Sequence, residues 1–321
     1  MIRHYLTTDV FTDQLFGGNQ LAVVLDAEGL STAQMQSIAQ EFNYSETTFV
    51  LPPRNPRHSA QVRIFTPRAE MPFAGHPNVG TAFLLAREHD RELRVGESAL
   101  DQLVFEELAG LVPMSLWRDK GEVVGAELRA PEPLSCRSTI TADQAAACLS
   151  LSVQDIALSV HAPRVLSVGL PFLVVEIASR AALARARPNL TAFDRVFPLD
   201  HSDAVFAYWP GGTEGETRLL QARMFCPGDG VVEDPATGSA TAATVAFLAS
   251  LQPGPEERRW RISQGVEMGR PSALAARTVG GDGAVSAVYV GGRCVPVMRG
   301  TFELAGELVD ARSGAKPLAS A

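Results

Sequence analysis

The sequence predicts an α+β fold of two homologous lobes, each a curved mixed β-sheet or barrel wrapped around a central apolar helix. Three observations carry this. One order of elements is written twice along the chain, each copy contains a helix that is apolar or small on every side, and the 321 residues exceed the about 100–150 that one ordinary core needs.

The first copy opens at Gly18. After Gly-Asn-Gln, the run Leu21 to Asp26 is a Val/Leu-rich stretch of strand length. Ser31 and Gln34 then stand in capping-box spacing, and Met35, Ile38, Ala39 and Phe42 follow at i, i+3, i+4, i+7, which predicts an amphipathic helix. A strand from Ser45 to Leu51 closes on two prolines, an alternating strand from Gln61 to Thr66 follows, and the loop Arg68 to Gly80 leads into the apolar run Thr81 to Ala86.

The second copy opens at Gly169 with Leu-Pro-Phe-Leu-Val-Val and a helix-forming stretch from Ala181. Strand Ala204 to Pro210 then matches Thr47 to Pro53. Arg223-Met-Phe-Cys-Pro227 matches Arg63-Ile-Phe-Thr-Pro67, and Asp234-Pro-x-x-Gly238-Ser-Ala matches His76-Pro-x-x-Gly80-Thr-Ala. The helices expected to begin near Gly80 and Gly238 have no polar face, so each must be buried all round, with the strands of its lobe curving about it. A hinge is expected within Gly125 to Ser135, where prolines punctuate the chain, dividing it into 1–128 and 129–299. Whether the last strand, about 300–321, returns to the first lobe stays open. The tail from Ala284 reads as two closing strands joined by Gly291-Gly292.

Composition narrows the function. With 46% hydrophobic and 20% charged residues the chain is a globular protein, and 28 Lys+Arg against 36 Asp+Glu give a net charge of −8 with no basic cluster, so nucleic acid is an unfavoured partner. No run approaches the ~20 apolar residues that span a bilayer. The four cysteines, Cys136, Cys148, Cys226 and Cys294, show no paired spacing, which suits a reduced, cytoplasmic setting. No GxGxxG follows a strand, no GxxxxGK[ST] or GxSxG occurs, and none of the six histidines forms an i, i+4 pair. The expectation is therefore a site with neither cofactor nor metal.

The chemistry points to the two Pro-x-x-Gly loops. Free backbone N–H groups at Gly80, Thr81 and Ala82 and at Gly238, Ser239 and Ala240 would attract an anion, most naturally a carboxylate, if both helix starts face one cleft. Either motif alone reads more readily as the cap of a buried helix; their symmetric positions favour the anion site. Glu46, His76 and Asp234 sit at loop tips beside these starts, where partial burial lifts a carboxylate toward proton-transfer range. A solvated turn carboxylate is the plain alternative for Glu46, an N-cap for Asp234 and a hydrogen-bonded core histidine for His76.

The blocks DVFTDQLFGGNQLAVVLD, NYSETTFV, AGHPNVGTA, EDPATGSATAA and QGVEMGRPS, running in order from Asp9 to Ser272, resemble the PhzF-type isomerases of phenazine biosynthesis, which share the diaminopimelate-epimerase-like fold. Two departures are Gln20 where proline is commoner and Asn78 where threonine is usual. The resemblance implies cofactor-independent acid–base isomerisation of a small cyclic or amino-acid-like carboxylate. It gives Glu46 the proton-shuttling role and makes His76, Asp234 and Ser239 its catalytic partners, with Gly75, Gly80, Thr81, Gly238 and Ala240 around the substrate. Gly75, His76 and Asp234 occupy the loop positions where related two-thiol racemases carry cysteines, so cysteine-dependent racemisation is disfavoured. A homodimer is also implied. The competing reading is a non-catalytic carboxylate-binding or protein-interaction protein on the same fold.

Overall fold

In the computed structural model, residues 2–93, 98–229, 231–252, 254–281 and 284–304 are described; the expected terminal strand beyond residue 304 lies outside them. The first run of elements is β1 (Ile2–Val10), β2 (Asn19–Val24), α1 (Thr32–Phe42), β3 (Glu46–Leu51), β4 (Ala60–Phe65), β5 (Glu70–Met71), α2 (Gly75–Glu92), β6 (Gln102–Glu107), β7 (Gly110–Asp119) and β8 (Glu122–Arg129). The second is β9 (Ser135–Thr139), α3 (Ala142–Cys148), β10 (Arg164–Ser167), β11 (Pro171–Glu176), α4 (Arg180–Arg185), α5 (Leu190–Val196), β12 (Val205–Glu214), β13 (Thr217–Cys226), β14 (Val231–Asp234), α6 (Gly238–Ser250), β15 (Glu257–Gln264), β16 (Ser272–Val279) and β17 (Ala287–Glu303).

The pairings repeat as the sequence does. In the first lobe β2 lies parallel to β3 and β4 parallel to β6, with antiparallel neighbours elsewhere. In the second β11 lies parallel to β12 and β13 parallel to β15. Parallel neighbours need a crossover, and helices supply it: α1 and α4–α5 cross on the outside, whereas α2 and α6 cross through the interior. The two inner helices bury residues on every side, Val79, Ala82, Phe83 and Ala86 in α2 and Ala240, Ala243, Val245 and Ala246 in α6, all within one continuous core.

Even the ion pairs are duplicated. Arg63 donates from Nε and Nη2 to the two carboxylate oxygens of Glu70, each at 2.7 Å. Arg223 does the same to Glu233, also at 2.7 Å. These bidentate pairs fix the short strands β5 and β14 that lead into the inner helices.

Two expectations need correction. The tail is one strand, not two: β17 runs through Gly291-Gly292 without turning, pairs first with β16 and β8, and then lies against β1 from Cys294 onward, closing the first lobe into a barrel. The glycines are there for close approach. A Cβ on Gly291 would sit 2.4 Å from the Ala126 carbonyl oxygen and one on Gly292 would sit 2.6 Å from the Phe11 ring. Facing them, a Cβ on Gly125 would lie 2.1 Å from the Gly292 carbonyl oxygen. Gly125→Ala must therefore push β8 and β17 apart at the seam, and a loss of about 1–3 kcal/mol is expected from the overpacking, read as a lower urea midpoint.

The second correction concerns α2, which begins at Gly75 and not at Gly80. Gly80 lies in its second turn because α2 packs hard on the sheet, where a Cβ would come within 2.6 Å of Leu21 and 2.7 Å of Val10. Thr81 is fully buried and its hydroxyl hydrogen-bonds that of Thr48 at 2.8 Å. Neither residue is at the helix start. The internal repeat shifts accordingly: Glu70-Met-Pro-Phe-Ala-Gly75-His76 corresponds to Glu233-Asp-Pro-Ala-Thr-Gly238-Ser239, pairing His76 with Ser239 rather than with Asp234.

Candidate active site

The two inner helices start against each other. A Cβ placed on Gly75 would lie 3.8 Å from the Ser239 nitrogen and 3.9 Å from the Gly238 Cα. Gly75, Gly238 and Ser239 line a small, almost wholly apolar pocket with Phe11, Phe73 and Val79 from one lobe and Val168, Leu170 and Ala242 from the other; Glu46, His76 and Asp234 are not among its lining residues.

How the helices are capped separates these two from the rest. α1, α3, α4 and α5 each start with a side-chain cap, from Ser31, Thr141, Ser179 and Asn189. At α2 the N-cap is Ala74, which has no hydroxyl to offer, and at α6 Thr237 makes no cap bond. An uncapped helix start leaves N–H donors and the positive end of the dipole open to an anion. Ala240 is the third residue of α6 and completes its first turn.

The ionisable residues sit by the helix starts rather than in that pocket. Glu46 opens β3, His76 is the second residue of α2, and Asp234 ends β14. Glu46 Oε2 stands 3.2 Å from His76 Nδ1, yet no donor completes a hydrogen bond to that buried oxygen. The Glu46 side chain keeps 18% of its surface accessible. Burial first, and then the Asp234 charge, push its carboxyl up to about 8. Burial pushes His76 down to about 4, against the hydrogen bond to Gln20. That bond, 3.2 Å from Nε2 to the Gln20 carbonyl, settles the tautomer: a carbonyl only accepts, so the proton is on Nε2 and Nδ1 is a lone pair, approached by the Asn19 amide Nδ2 at 3.5 Å.

Asp234 is treated differently from Glu46. Asn19 Nδ2 donates to Oδ1 at 2.8 Å, and the Thr237 hydroxyl donates to Oδ2 at 2.5 Å. Burial raises Asp234 to about 6, and the bonds from Thr237, Asn19 and Ser45 hold it from rising further. Thr237 is steadied in turn by Gln264, whose Nε2 donates to its hydroxyl at 3.0 Å and whose Oε1 accepts from its backbone N–H at 3.1 Å.

Asn19, Thr237 and Gln264 carry no role in the sequence reading, although all three fall within the motif blocks. Asn19 is 1% exposed and reaches the other lobe's Asp234 and the Ala236 carbonyl. Its backbone is placed by Gly18, whose φ of +61° and 2.3 Å approach of a would-be Cβ to the Val10 carbonyl admit only glycine. Arg270, from the β15–β16 loop, grips this turn at the Gly17 and Gly18 carbonyls and at Asp9. Among the described residues no three His, Cys, Asp or Glu side chains gather as a metal site, and no helix is long and apolar enough to cross a membrane.

Comparison with known proteins adds to this geometry. The family model of phenazine biosynthesis-like proteins matches residues 8–300. An uncharacterized isomerase of Mesorhizobium japonicum is 40% identical over 306 residues, covering 93% of this chain and 98% of that protein. The trans-2,3-dihydro-3-hydroxyanthranilate isomerase of Pseudomonas aeruginosa is 39% identical over 292 residues, 91% of this chain and 96% of its own. Among solved structures, a PhzF-family phenazine biosynthesis protein of Bacillus anthracis superposes with a TM-score of 0.82 at 23% identity, over 95% of this chain and all (100%) of its own. It shares the fold described above.

Proposed function

This chain belongs to the family of phenazine biosynthesis-like proteins and is an isomerase, and from that premise we propose that it moves a proton between carbons of a small cyclic or amino-acid-like carboxylate by general acid–base catalysis. The carrying observation is the pair of uncapped, abutting helix starts with Glu46, His76 and Asp234 beside them. The substrate carboxylate takes the N–H groups at Gly75 and at Gly238, Ser239 and Ala240, with the Ser239 hydroxyl alongside. Its carbon skeleton then lies within reach of Glu46, the proton shuttle, and Asp234 and His76 set the electrostatics around it. No cofactor or metal enters this scheme. The family resemblance extends the proposal to a homodimer acting in the cytoplasm, with the lobes dividing at 128/129.

The test is hydrogen exchange at carbon. In deuterated buffer the protein is expected to introduce deuterium into a C–H position of a bound small carboxylate, with trans-2,3-dihydro-3-hydroxyanthranilate, the compound named for the Pseudomonas relative, as the first probe. A protein that binds such acids and exchanges none of them is a binder, and the proposal fails.

A further inference from the structure

We propose that Arg270 is a positioning residue for the reaction: its guanidinium clamps the second lobe's β15–β16 loop onto the first lobe's Gly17–Gly18 turn and so sets the Asn19 amide on Asp234 across the lobe boundary. One loop then governs both oxygens of Asp234. That Asp234 serves proton transfer rests on the acid–base reading above, whereas the action of Arg270 on Asp234 rests on the bonds themselves.

Asp234 takes one donor from each lobe, Asn19 Nδ2 on Oδ1 and the Thr237 hydroxyl on Oδ2. Gln264, the last residue of β15, holds Thr237 by its backbone N–H and its hydroxyl. At the other end of the same loop, Arg270 holds the turn that carries Asn19. Its Nε donates to the Gly18 carbonyl at 2.9 Å, and its Nη2 donates to the Gly17 carbonyl and to Asp9 Oδ1, each at 2.6 Å. The Arg270 N–H closes the loop on the Gly265 carbonyl at 3.0 Å. The loop also lies tight on the residue after Asp234, where a Cβ on Gly265 would come within 2.7 Å of the Pro235 carbonyl oxygen. Gln264 and Arg270 are therefore joined as one piece.

Asn19 is fixed in the first lobe by its pairing with Val10, and Asp234 in the second by its pairing with Met224. Neither pairing sets one lobe against the other. Two backbone bonds run along the same seam, Gly18 N–H to the Pro271 carbonyl at 3.0 Å and Ala273 N–H to the Phe11 carbonyl at 2.7 Å, so Arg270 stands where the lobes are registered. The residue type fits. Three acceptors facing one side chain, two carbonyls and a carboxylate, suit the planar fork of arginine, whereas the compact ammonium of lysine is a point charge without that fork. Asp9 is 3% exposed and its other oxygen accepts the Phe16 N–H at 2.7 Å, so the clamp is anchored on a buried group with both oxygens committed. The titratable or charged groups around the Asn19–Asp234 bond are Glu46, His76 and Glu233, the last held by Arg223.

Arg270→Met removes the clamp; Arg270→Lys, which keeps a charge beside Asp9 and loses the fork, takes its place if the first variant fails to fold. Infrared difference spectra against Asp234→Asn in each background follow the Asp234 carboxyl, which titrates at about 6 in the wild type. Losing a donor favours the protonated form. The Asp234 midpoint is therefore expected to rise by about one to two pH units in Asn19→Ala, and to rise in the same sense in the Arg270 variant. The kcat/KM for the anthranilate probe is expected to fall by about 10²-fold in either variant. The double variant Arg270→Met/Asn19→Ala should be no worse than Asn19→Ala alone, because both act through one bond. A residue that only stabilises the fold would lower the urea midpoint and leave Asp234 titrating as before. An unmoved Asp234 midpoint in the folded Arg270 variant, or in Asn19→Ala itself, overturns the proposal, as does a loss of turnover that adds to that of Asn19→Ala. The infrared measurement needs no substrate, so it decides the role of Arg270 even if no carboxylate is turned over.

Discussion

Glu46→Gln is expected to lower turnover by at least ~10²–10⁴, the contribution that general acid–base catalysis typically makes, while making the protein more stable. Glutamine keeps the shape and can donate to the His76 Nδ1 lone pair, but it cannot give up and recover a proton. The stability gain has its own source. The Glu46 carboxyl lies at about 8 in the folded chain, against 4.5 for the free group, so folding opposes its ionisation. For a carboxyl raised in this way the sign is fixed: its favourable contribution is complete at pH below the unfolded value and is lost as pH climbs to the folded one. At pH 8 the wild type therefore carries a cost on the order of 4 kcal/mol at this residue, which the amide does not. Parallel assays of probe turnover and urea unfolding check both halves. Retained activity would make Glu46 a turn residue. Lost activity with lost stability would mean that the substitution damages the fold rather than the proton path.

That opposition between stability and chemistry explains which parts of the site were legible in the sequence. Periodicity reports residues that serve folding, and it gave the strands, the capping box at Ser31 and Gln34, and the two inner helices, because each of these is a local pattern. The capping bonds are present at 3.2 Å and 2.9 Å. Glu46, His76 and Asp234 were singled out by position and by family resemblance, since no local rule asks for a carboxylate or an imidazole in those turns. The start of α2 was misplaced because a glycine ahead of an apolar run reads as a helix boundary, whereas Gly80 is required by the close contact with Val10 and Leu21, which no spacing encodes. Gly291-Gly292 misled in the same way: glycine at a strand crossing and glycine in a turn look alike until the facing strand is known. Asn19 and Gln264 stayed silent for a third reason. Their partners at Asp234, Ala236 and Thr237 come together only when both lobes have folded, and a polar residue at a strand end is otherwise unremarkable.

Glu107 provides the largest stability effect without touching the proposed chemistry. It ends β6 with both carboxyl oxygens buried, and beside it lies Asn78, fully buried at the fourth position of α2. Burial pushes Glu107 up to about 8, and the Asn78 amide eases this only in part; neither Glu107 oxygen and neither Asn78 amide atom completes a hydrogen bond. A buried acid with no committed donor must either hold its proton or ionise without a partner, and both leave polar atoms unsatisfied. By the sign established for Glu46, the favourable contribution of protonated Glu107 is complete below about 4.5 and falls by about 1.4 kcal/mol per pH unit as pH rises toward 8. Glu107→Gln removes that slope. The variant is expected to exceed wild type by on the order of 3 kcal/mol at pH 7, to converge with it near pH 4.5, and to keep probe turnover. Urea midpoints collected at several pH values decide this: parallel wild-type and variant curves would mean that Glu107 is ionised and partnered in the folded protein, and a variant less stable at pH 7 would mean that the carboxylate holds α2 in place.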